Sequence, residues 1–401
     1  MLSSQQAQSS LTGKDRLRAV LAHREPDRVP VGEFGIDYPI IEKILGHETY
    51  YRAQGKERQA IWGGRRDEVV KSQKDDLVAL VRRLEWDLVP VWITYARQFD
   101  YTPRRFLSED HLKWEDYNGN LWQASGEMDD ALCTGTTGIS PERLEQMLQT
   151  PPPVDPSQLE LIEYVVQELG QTHFIVGRGW HAPSTSTDGS FPLGGEGLSL
   201  PVDQFLMLIY DDPALVRAIL SAYTRRAIDY GRILIQAGVD AILINADYGI
   251  NTGPWLSPRL FKQFILPYLR QEVEAFHALG AYVIKHTDGN TLALLDSIVE
   301  TGIDGLHGIQ PSIGMDLKLL KSRYGDRIAL FGAVEADTLI NGAPQDAMDE
   351  AERCIQAAAP GGGYVLTSTN SVQAGAKAEN YLAMLAHARK IGSYPMAEPA
   401  D

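Results

Sequence analysis

The chain has 401 residues, 44% of them hydrophobic, and a formal net charge of −16. This composition is ordinary for a soluble globular protein and allows a sizeable core. The negative charge argues against nonspecific nucleic-acid binding, and no apolar run approaches the roughly 20 residues that a membrane-spanning helix needs. We therefore expect a cytoplasmic protein without a nucleic-acid or membrane partner.

The first folded segment is predicted to begin at Thr12. Residues 1–11 are rich in Gln and Ser and are expected to form a disordered tail. Thr12 is placed to cap a helix, and a strand is predicted at 29–34, with Glu33 near its end. The many charges over residues 38–85 favour surface helices, which would form an N-terminal helical extension.

A second strand is predicted at 88–92, and an irregular stretch rich in aromatic residues follows it over 93–125. Tyr95 lies where this strand ends. Asn118-Gly119 is typical of a tight hairpin turn. We therefore expect a small β excursion after the second strand, covering one end of the main fold.

A third strand is predicted at 173–177, with Arg178 and His181 directly after it. Residues 183–200 are rich in Ser, Thr, Gly and Pro, and loops of this length are usually functional or mobile. Arg178 is a good candidate to bind a substrate anion, because a lone Arg at a strand end otherwise needs a carboxylate partner.

Two later strands lead into acidic and imidazole side chains. The strand at 240–244 is followed by Asp247, and the apolar run at 282–284 is followed by His286 and Asp288. Residues two apart in an extended chain point the same way, so the last two leave their strand together. Such a pair can bind a metal, share a proton or hold a charged substrate group. Alternatively, Asp288 caps the next helix.

Strands and helices alternate along the chain, and eight strands can be counted from Val29. Alternation of this kind predicts right-handed crossovers and a parallel sheet, and eight units are typical of a closed (β/α)8 TIM barrel. A doubly wound sheet is the alternative, but no Gly-x-Gly-x-x-Gly turn follows the first strand. We predict an α/β barrel as a single domain over residues 12–392, with a flexible tail at 393–401. Barrel active sites lie at the carboxyl ends of the strands, where the candidates are Glu33, Tyr95, Arg178, His181, Asp247, His286, Asp288, His307, Glu335 and Asn370.

Several motifs, kept in order over about residues 12–392, together resemble the uroporphyrinogen decarboxylase superfamily. The resemblance implies a (β/α) barrel, in agreement with the strand count. The motifs are Arg16-Leu-Arg-Ala-Val-Leu-Ala-His23, Pro26-Asp-Arg-Val-Pro30, Gly253-Pro-Trp-Leu-Ser-Pro258, His286-Thr-Asp-Gly-Asn290, Gly305-Leu-His-Gly-Ile-Gln-Pro311 with Met315-Asp316, Gly361-Gly-Gly-Tyr364 and Glu379-Asn-Tyr-Leu-Ala-Met384.

The superfamily contains at least two chemistries. Its true decarboxylases carry an arginine-rich segment after the first strand that grips the carboxylates of the tetrapyrrole. Here that strand is followed by Gly35-Ile-Asp-Tyr-Pro39, which holds no arginine. A substrate with eight carboxylates needs several cations, and bidentate arginine suits that task. The resemblance is therefore closer to the methyltransferases that work with corrinoid proteins.

Several of those methyltransferases hold a zinc ion with His-x-Cys and a later Cys. Here His286 takes the first ligand position and Asp288, a harder ligand, takes the cysteine position. The later position falls near Thr369-Asn370. The expected metal ligands are His286, Asp288 and Glu335, with Asp247 as a further oxygen donor. Alternatively, the barrel uses no metal, and Asp247 and Asp288 act as acid and base.

The resemblance implies methyl transfer between a small molecule and cobalamin or a corrinoid protein, with a homodimer as a candidate assembly. The alternatives are uroporphyrinogen decarboxylation and a barrel that only binds a ligand. Asp247, His286 and Asp288 are expected to be catalytic and to converge on one cavity, because neighbouring strands lie ~4.8 Å apart. The expected substrate-binding residues are Glu33, Tyr95, Arg178, His181, His307 and Asn370.

Overall fold

The computed structural model describes residues 11–117, 119–124, 131–135, 153–179 and 202–396. Within them, short runs rich in β-branched and aromatic residues form strands, because such side chains pack well on a pleated surface. The strands are β1 (Leu88–Val91), β2 (Arg105–Phe106), β3 (Lys113–Glu115), β4 (Leu121–Ala124), β5 (Ala131–Gly135), β6 (Phe174–Arg178), β7 (Ala241–Asn245), β8 (Gly249–Ile250), β9 (Gly253–Pro254), β10 (Tyr282–His286), β11 (Gly305–Ile309), β12 (Ala329–Val334) and β13 (Tyr364–Ser368).

Helices separate the long strands and pack on their outer face. Side-chain oxygens of Thr12, Asp212, Ser257 and Asp316 cap four of them by accepting backbone N–H groups. The helices are α1 (Gly13–Leu21), α2 (Tyr38–Leu45), α3 (Gln54–Trp62), α4 (Arg66–Leu84), α5 (Glu160–Leu169), α6 (Val202–Asp211), α7 (Pro213–Gln236), α8 (Pro258–Phe264), α9 (Leu266–Ala278), α10 (Leu292–Val299), α11 (Leu317–Tyr324), α12 (Ala336–Asn341), α13 (Pro344–Ala358) and α14 (Ala378–Ile391).

Seven of the strands form one curled parallel sheet in the order β1-β6-β7-β10-β11-β12-β13. Each face of this sheet is covered, as parallel sheets require. Leu243 and Ile284 belong to the inner apolar cluster, whereas Ile242 and Val283 belong to the outer cluster under the helices. The predicted (β/α) barrel fold is therefore confirmed.

The first strand predicted from the sequence is not a regular strand, which corrects that element. A short segment at 30–32 lies between the two edges of the sheet instead. Leu366 in β13 donates its backbone N–H to the Pro30 carbonyl at 3.0 Å, and Asp87, just before β1, donates to the Val31 carbonyl at 2.7 Å. Pro30 has no N–H to continue a ladder. The segment nevertheless joins the two edges and closes the barrel.

An ion-pair network fastens α1 under the end of the barrel where the strands begin. Arg16 contacts Asp27 at 2.6 Å and Asp87 at 3.0 Å, and Arg28 reaches Asp87 at 2.7 Å. Leu17 packs into the inner apolar cluster. The first two family-like motifs therefore close the bottom of the barrel and lie at the opposite end from the strand termini.

Two additions flank the barrel. Helices α2, α3 and α4 form the predicted helical extension, and β2 to β5 form a separate antiparallel sheet after β1. Trp114 and Trp122 make the core of this sheet, and Trp62 of α3 packs on Trp114 with ring centroids 5.3 Å apart. The predicted β excursion is thus present, and it contacts the helical extension.

Some predictions fall on residues that the structure does not describe. These residues include 1–10 of the first tail, 397–401 of the second tail and the loop that holds His181. The boundaries of a single domain stay a prediction. Among the described helices, none combines the length and the apolar character needed to cross a membrane.

Candidate functional site

Three side chains meet at the end of the barrel where the strands terminate, which we call the mouth. Asp247 follows β7, His286 ends β10 and Asp288 lies two residues further on. One potential ligand atom from each lies within 4.8 Å of the others. His286 Nε2 is 3.7 Å from Asp247 Oδ1 and 3.6 Å from Asp288 Oδ1. The structure thus brings together the three residues expected to be catalytic, which we call the triad.

Strand register explains the convergence. His286 pairs in register with Asn245, and Ile284 pairs with Leu243. Because alternate residues share a face, His286 points inward like Ile284, and it is 7% exposed. The Asp247 carboxylate then crosses between the loops and accepts the backbone N–H of Asp288 at 3.0 Å.

Two glycines allow the loops around the triad to touch. Gly289 has φ +83°, and a Cβ there would lie 2.2 Å from the Gly249 carbonyl carbon. Gly249 begins the β8–β9 hairpin, which therefore packs directly on the loop of Asp288. A side chain at Gly289 would push the hairpin away, so this contact requires glycine.

Asp288 is not a helix cap, so the alternative reading of this residue is wrong. Leu292 donates its backbone N–H to Asn290 Oδ1 at 3.3 Å. Asp288 Oδ2 instead accepts a hydrogen bond from Asn370 Nδ2 at 2.5 Å. Burial raises the pKa of the Asp288 carboxyl; His286 opposes this rise and Asp247 adds to it. Asn370 thus orients a triad carboxylate directly.

His307 lies behind His286 and is buried. The Nδ1 atoms of the two imidazoles are 2.7 Å apart, and His307 Nε2 lies 3.2 Å from the Ser368 carbonyl oxygen. Burial, with His286 nearby, holds the pKa of His307 well below its ordinary value. His307 therefore contacts a member of the triad, although no exposed surface of it faces the mouth.

Lys285 is a buried charged residue that the sequence reasoning missed. It lies on the outer face of β10, where its Nζ donates to the carbonyls of Ala246 at 2.6 Å and of His286, and lies 4.2 Å from the Tyr248 ring centroid. Burial lowers its pKa to about 7. A lysine inside an apolar strand was the available signal. Its contacts tie together the ends of the strands that carry the triad.

Glu335 does not join the triad, contrary to its expected role as a metal ligand. Glu33, which was expected to bind substrate, is buried in the barrel wall. The Glu33 carboxylate is fully buried and accepts from Ser368 N at 2.9 Å and Oγ at 2.8 Å. Burial raises the pKa of Glu33 to about 8. Glu335 accepts from the backbone of Ser312 at 2.7 Å. Asp247 takes the place in the triad that Glu335 was expected to fill.

Tyr95 and Arg178 lie on the β1 and β6 side of the barrel. The Tyr95 hydroxyl contacts Glu57 at 3.3 Å, and its ring packs on Tyr101, so it belongs to the interface with the helical extension. Arg178 ends β6 in register with Leu243, an inward-facing residue. It therefore points inward at the mouth and is partly exposed, which suits a role in binding substrate.

Comparisons with known proteins agree with this fold. The family model for uroporphyrinogen decarboxylase (URO-D) matches residues 139–391. A uroporphyrinogen decarboxylase from Coxiella burnetii is 25% identical over 188 residues, which is 44% of this chain and 48% of that protein. The enzyme from Hamiltonella defensa is 28% identical over 232 residues, or 54% and 62%. The chain thus spans about half the length of the first of these relatives.

A solved structure of similar fold covers nearly the whole chain. A methyltransferase from Methanosarcina mazei superimposes with a TM-score of 0.68 at 21% identity, over 95% of this chain and 99% of that one. The match includes the barrel and its additions and shows a shared fold.

Proposed function

This chain belongs to the uroporphyrinogen decarboxylase family, and we propose that it is an enzyme that transfers a methyl group between a small molecule and cobalamin or a corrinoid protein. The carrying observation is the triad of Asp247, His286 and Asp288 at the barrel mouth. His286 and Asp288 occupy the positions at which related methyltransferases are expected to hold zinc. We propose that these three residues hold a divalent ion.

The geometry of the triad leaves room for a metal ion between its three side chains. The separations of 3.6 and 3.7 Å from His286 Nε2 exceed the 2.7–3.2 Å range of good hydrogen bonds. Two ligand atoms that each lie about 2.1 Å from a tetrahedral ion are roughly 3.4 Å apart. One imidazole and two carboxylates make a mixed nitrogen and oxygen site, which Zn²⁺ and harder divalent ions accept.

The donor set also indicates the chemistry of the substrate. A bound ion would supply Lewis-acid polarisation of a substrate heteroatom. Because the triad has no thiolate, it favours a substrate that offers oxygen, such as an alcohol or a methyl ether. Arg178 would bind an anionic group of the same molecule, and Asn370 would keep Asp288 in position.

The decarboxylase alternative is supported by the names of the sequence relatives, but the described part of the mouth presents few of the expected cations. Arg178 ends a strand there, and Arg52, which lies near the loop of Gly35, is already paired with Asp37 at 3.2 Å. Residues 180–201 contain neither Arg nor Lys. A substrate with eight carboxylates would therefore meet few partners in the part of the mouth that the structure describes.

The decisive experiment combines metal analysis with a methyl-transfer assay. Purified protein would be stripped with a chelator, reloaded with Zn²⁺, Mn²⁺ or Co²⁺, and mixed with cob(I)alamin and methylated ethers, thiols or pterins. Formation of methylcobalamin is followed by its visible spectrum. We expect Asp247→Asn to lose metal binding and turnover. Asp296→Asn, the same change in an exposed residue of α10, should retain both.

Each alternative has its own outcome. Failure with the whole panel, at full metal occupancy, would contradict methyl transfer. Conversion of uroporphyrinogen to coproporphyrinogen would establish the decarboxylase. Tight ligand binding without turnover, with an affinity that His286→Ala alters and no rate for that change to lower, would identify a barrel that only binds a ligand. A corrinoid protein partner and a homodimer stay predictions, which co-purification and light scattering would test.

A further inference from the structure

We propose that His307 is a positioning residue, which holds the His286 imidazole with Nε2 directed at Asp247 and Asp288 and thereby sets the affinity of the triad for a divalent ion. The inference rests on the metal site of the proposed function. It assigns a role to a residue that does not itself reach the ion.

The hydrogen-bond directions follow from one fixed acceptor. The Ser368 backbone oxygen can only accept, so His307 Nε2, 3.2 Å away, must carry the hydrogen. A neutral His307 then presents a bare Nδ1, which is 2.7 Å from His286 Nδ1. His286 must therefore donate from Nδ1, and its Nε2 faces two carboxylates. A bound cation at Nε2, or a proton on it, offsets their negative charge.

His307 is itself held from three sides. The Phe34 ring lies 4.6 Å from the His307 ring, centroid to centroid, and the His286 ring lies 4.8 Å away. The third contact, Ser368, is fixed because Glu33 accepts from both its backbone N–H and its hydroxyl. Phe34, which follows the barrel-closing segment, and Ser368 of β13 thus hold one imidazole, which then orients the other.

This arrangement matches a general feature of metal sites. A metal-binding histidine usually donates its second N–H to a neighbouring acceptor, which fixes the tautomer and the ring orientation. Removal of such an acceptor typically lowers metal affinity by about 10- to 100-fold. Without the acceptor on His307, the His286 ring is free to rotate, and its Nε2 no longer faces the carboxylates in one orientation.

The test compares His307→Phe with His307→Asn. Phenylalanine keeps the ring that packs on Phe34 but has no acceptor, whereas the asparagine amide oxygen can accept from His286 Nδ1. Binding of Zn²⁺ and Co²⁺ is measured by calorimetry and by the Co²⁺ visible spectrum. The tautomer of His286 is read from nitrogen chemical shifts in ¹⁵N-histidine-labelled protein without metal. His387→Phe, which removes a histidine paired with Glu352 at 2.9 Å, is the matched control.

We expect His307→Phe to bind metal about 10- to 100-fold more weakly, with a mixture of His286 tautomers. His307→Asn should recover most of the affinity, and His387→Phe should bind like the wild type. Equal affinity in wild type and His307→Phe, or equal losses in Phe and Asn, would overturn the positioning role alone. If the wild type binds no metal, the proposed metal site fails, but the tautomer spectra still test the positioning role of His307. A wild-type His286 that is protonated on Nε2 and unprotonated on Nδ1 would overturn that role.

Discussion

Replacing Gly289 with alanine should damage the triad, and replacing Gly280 should not, although both glycines flank β10. Their φ angles are nearly the same, at +83° and +82°. An alanine in this left-handed region costs about 1–2 kcal/mol at either position. A Cβ at Gly280 meets no atom within 4 Å, whereas one at Gly289 would lie 2.2 Å from the Gly249 carbonyl carbon. The pair therefore separates backbone strain from the clash.

The clash at Gly289 falls on backbone atoms, which cannot rotate away. Overpacking of this kind adds about 1–3 kcal/mol, so the free energy of unfolding should fall by about 2–5 kcal/mol in Gly289→Ala and about 1–2 kcal/mol in Gly280→Ala. Urea unfolding measures the difference. Calorimetric titration with Zn²⁺ should show weaker binding in Gly289→Ala alone, because the displaced hairpin moves the Asp288 loop. Equal unfolding free energies and equal metal affinities in the two variants would refute the steric reasoning.

Three further predictions concern pH, metal binding and the substrate anion. Burial raises the pKa of Glu33 from 4.5 to about 8. Between these two pH values the folded state holds a proton that the unfolded state has lost. The free energy of unfolding therefore falls by about 1.4 kcal/mol for each unit by which the pH rises. Urea unfolding from pH 5 to 8 should show Glu33→Gln gaining stability relative to wild type as pH rises. Zn²⁺ at 100 times its dissociation constant should stabilise the wild type by about 2.7 kcal/mol, and Asp288→Asn should lose this effect in thermal unfolding. Arg178→Gln should raise KM for an anionic substrate roughly 10- to 100-fold in steady-state assays, because a hydrogen bond to a charged group contributes about 1.5–3 kcal/mol. The value of kcat should change little.

Each of these predictions has a contradicting result. Parallel pH curves for wild type and Glu33→Gln would mean that this carboxyl is ionised in the folded protein. Equal Zn²⁺ stabilisation of Asp288→Asn would place the ion elsewhere. An equal rise in KM for a neutral substrate analogue would mean that Arg178 supports the structure of the mouth and does not bind an anion.

Much of the site could be predicted from strand order. Parallel barrel strands end at the same face, so polar residues just after two apolar runs had to emerge together. This reasoning predicts that Asp247, His286 and Asp288 lie at one mouth. It also predicted the alternation of strands and helices, because helical and extended patterns have different periods.

Other features depended on contacts between distant segments. Glu33 lies near the end of one predicted strand and Glu335 follows another, yet Glu33 accepts hydrogen bonds from Ser368 in the barrel wall and Glu335 accepts one from the Ser312 backbone. A period of two cannot show which face of a strand points inward when both faces are apolar, as they are in a covered parallel sheet. The sequence pattern therefore does not indicate that the Lys285 side chain points out of the barrel and the His286 side chain points into it.

The local sequence determined where the strands end and which polar groups stand there, because those properties depend on neighbouring residues in the chain. Only the tertiary structure decided that Pro30 and Val31 close the barrel between β13 and β1, since those hydrogen bonds join segments far apart in sequence. It likewise decided that His307 faces His286. The direction of the hydrogen bond between the two imidazoles depends on the backbone carbonyl of Ser368, which lies on a third strand, β13.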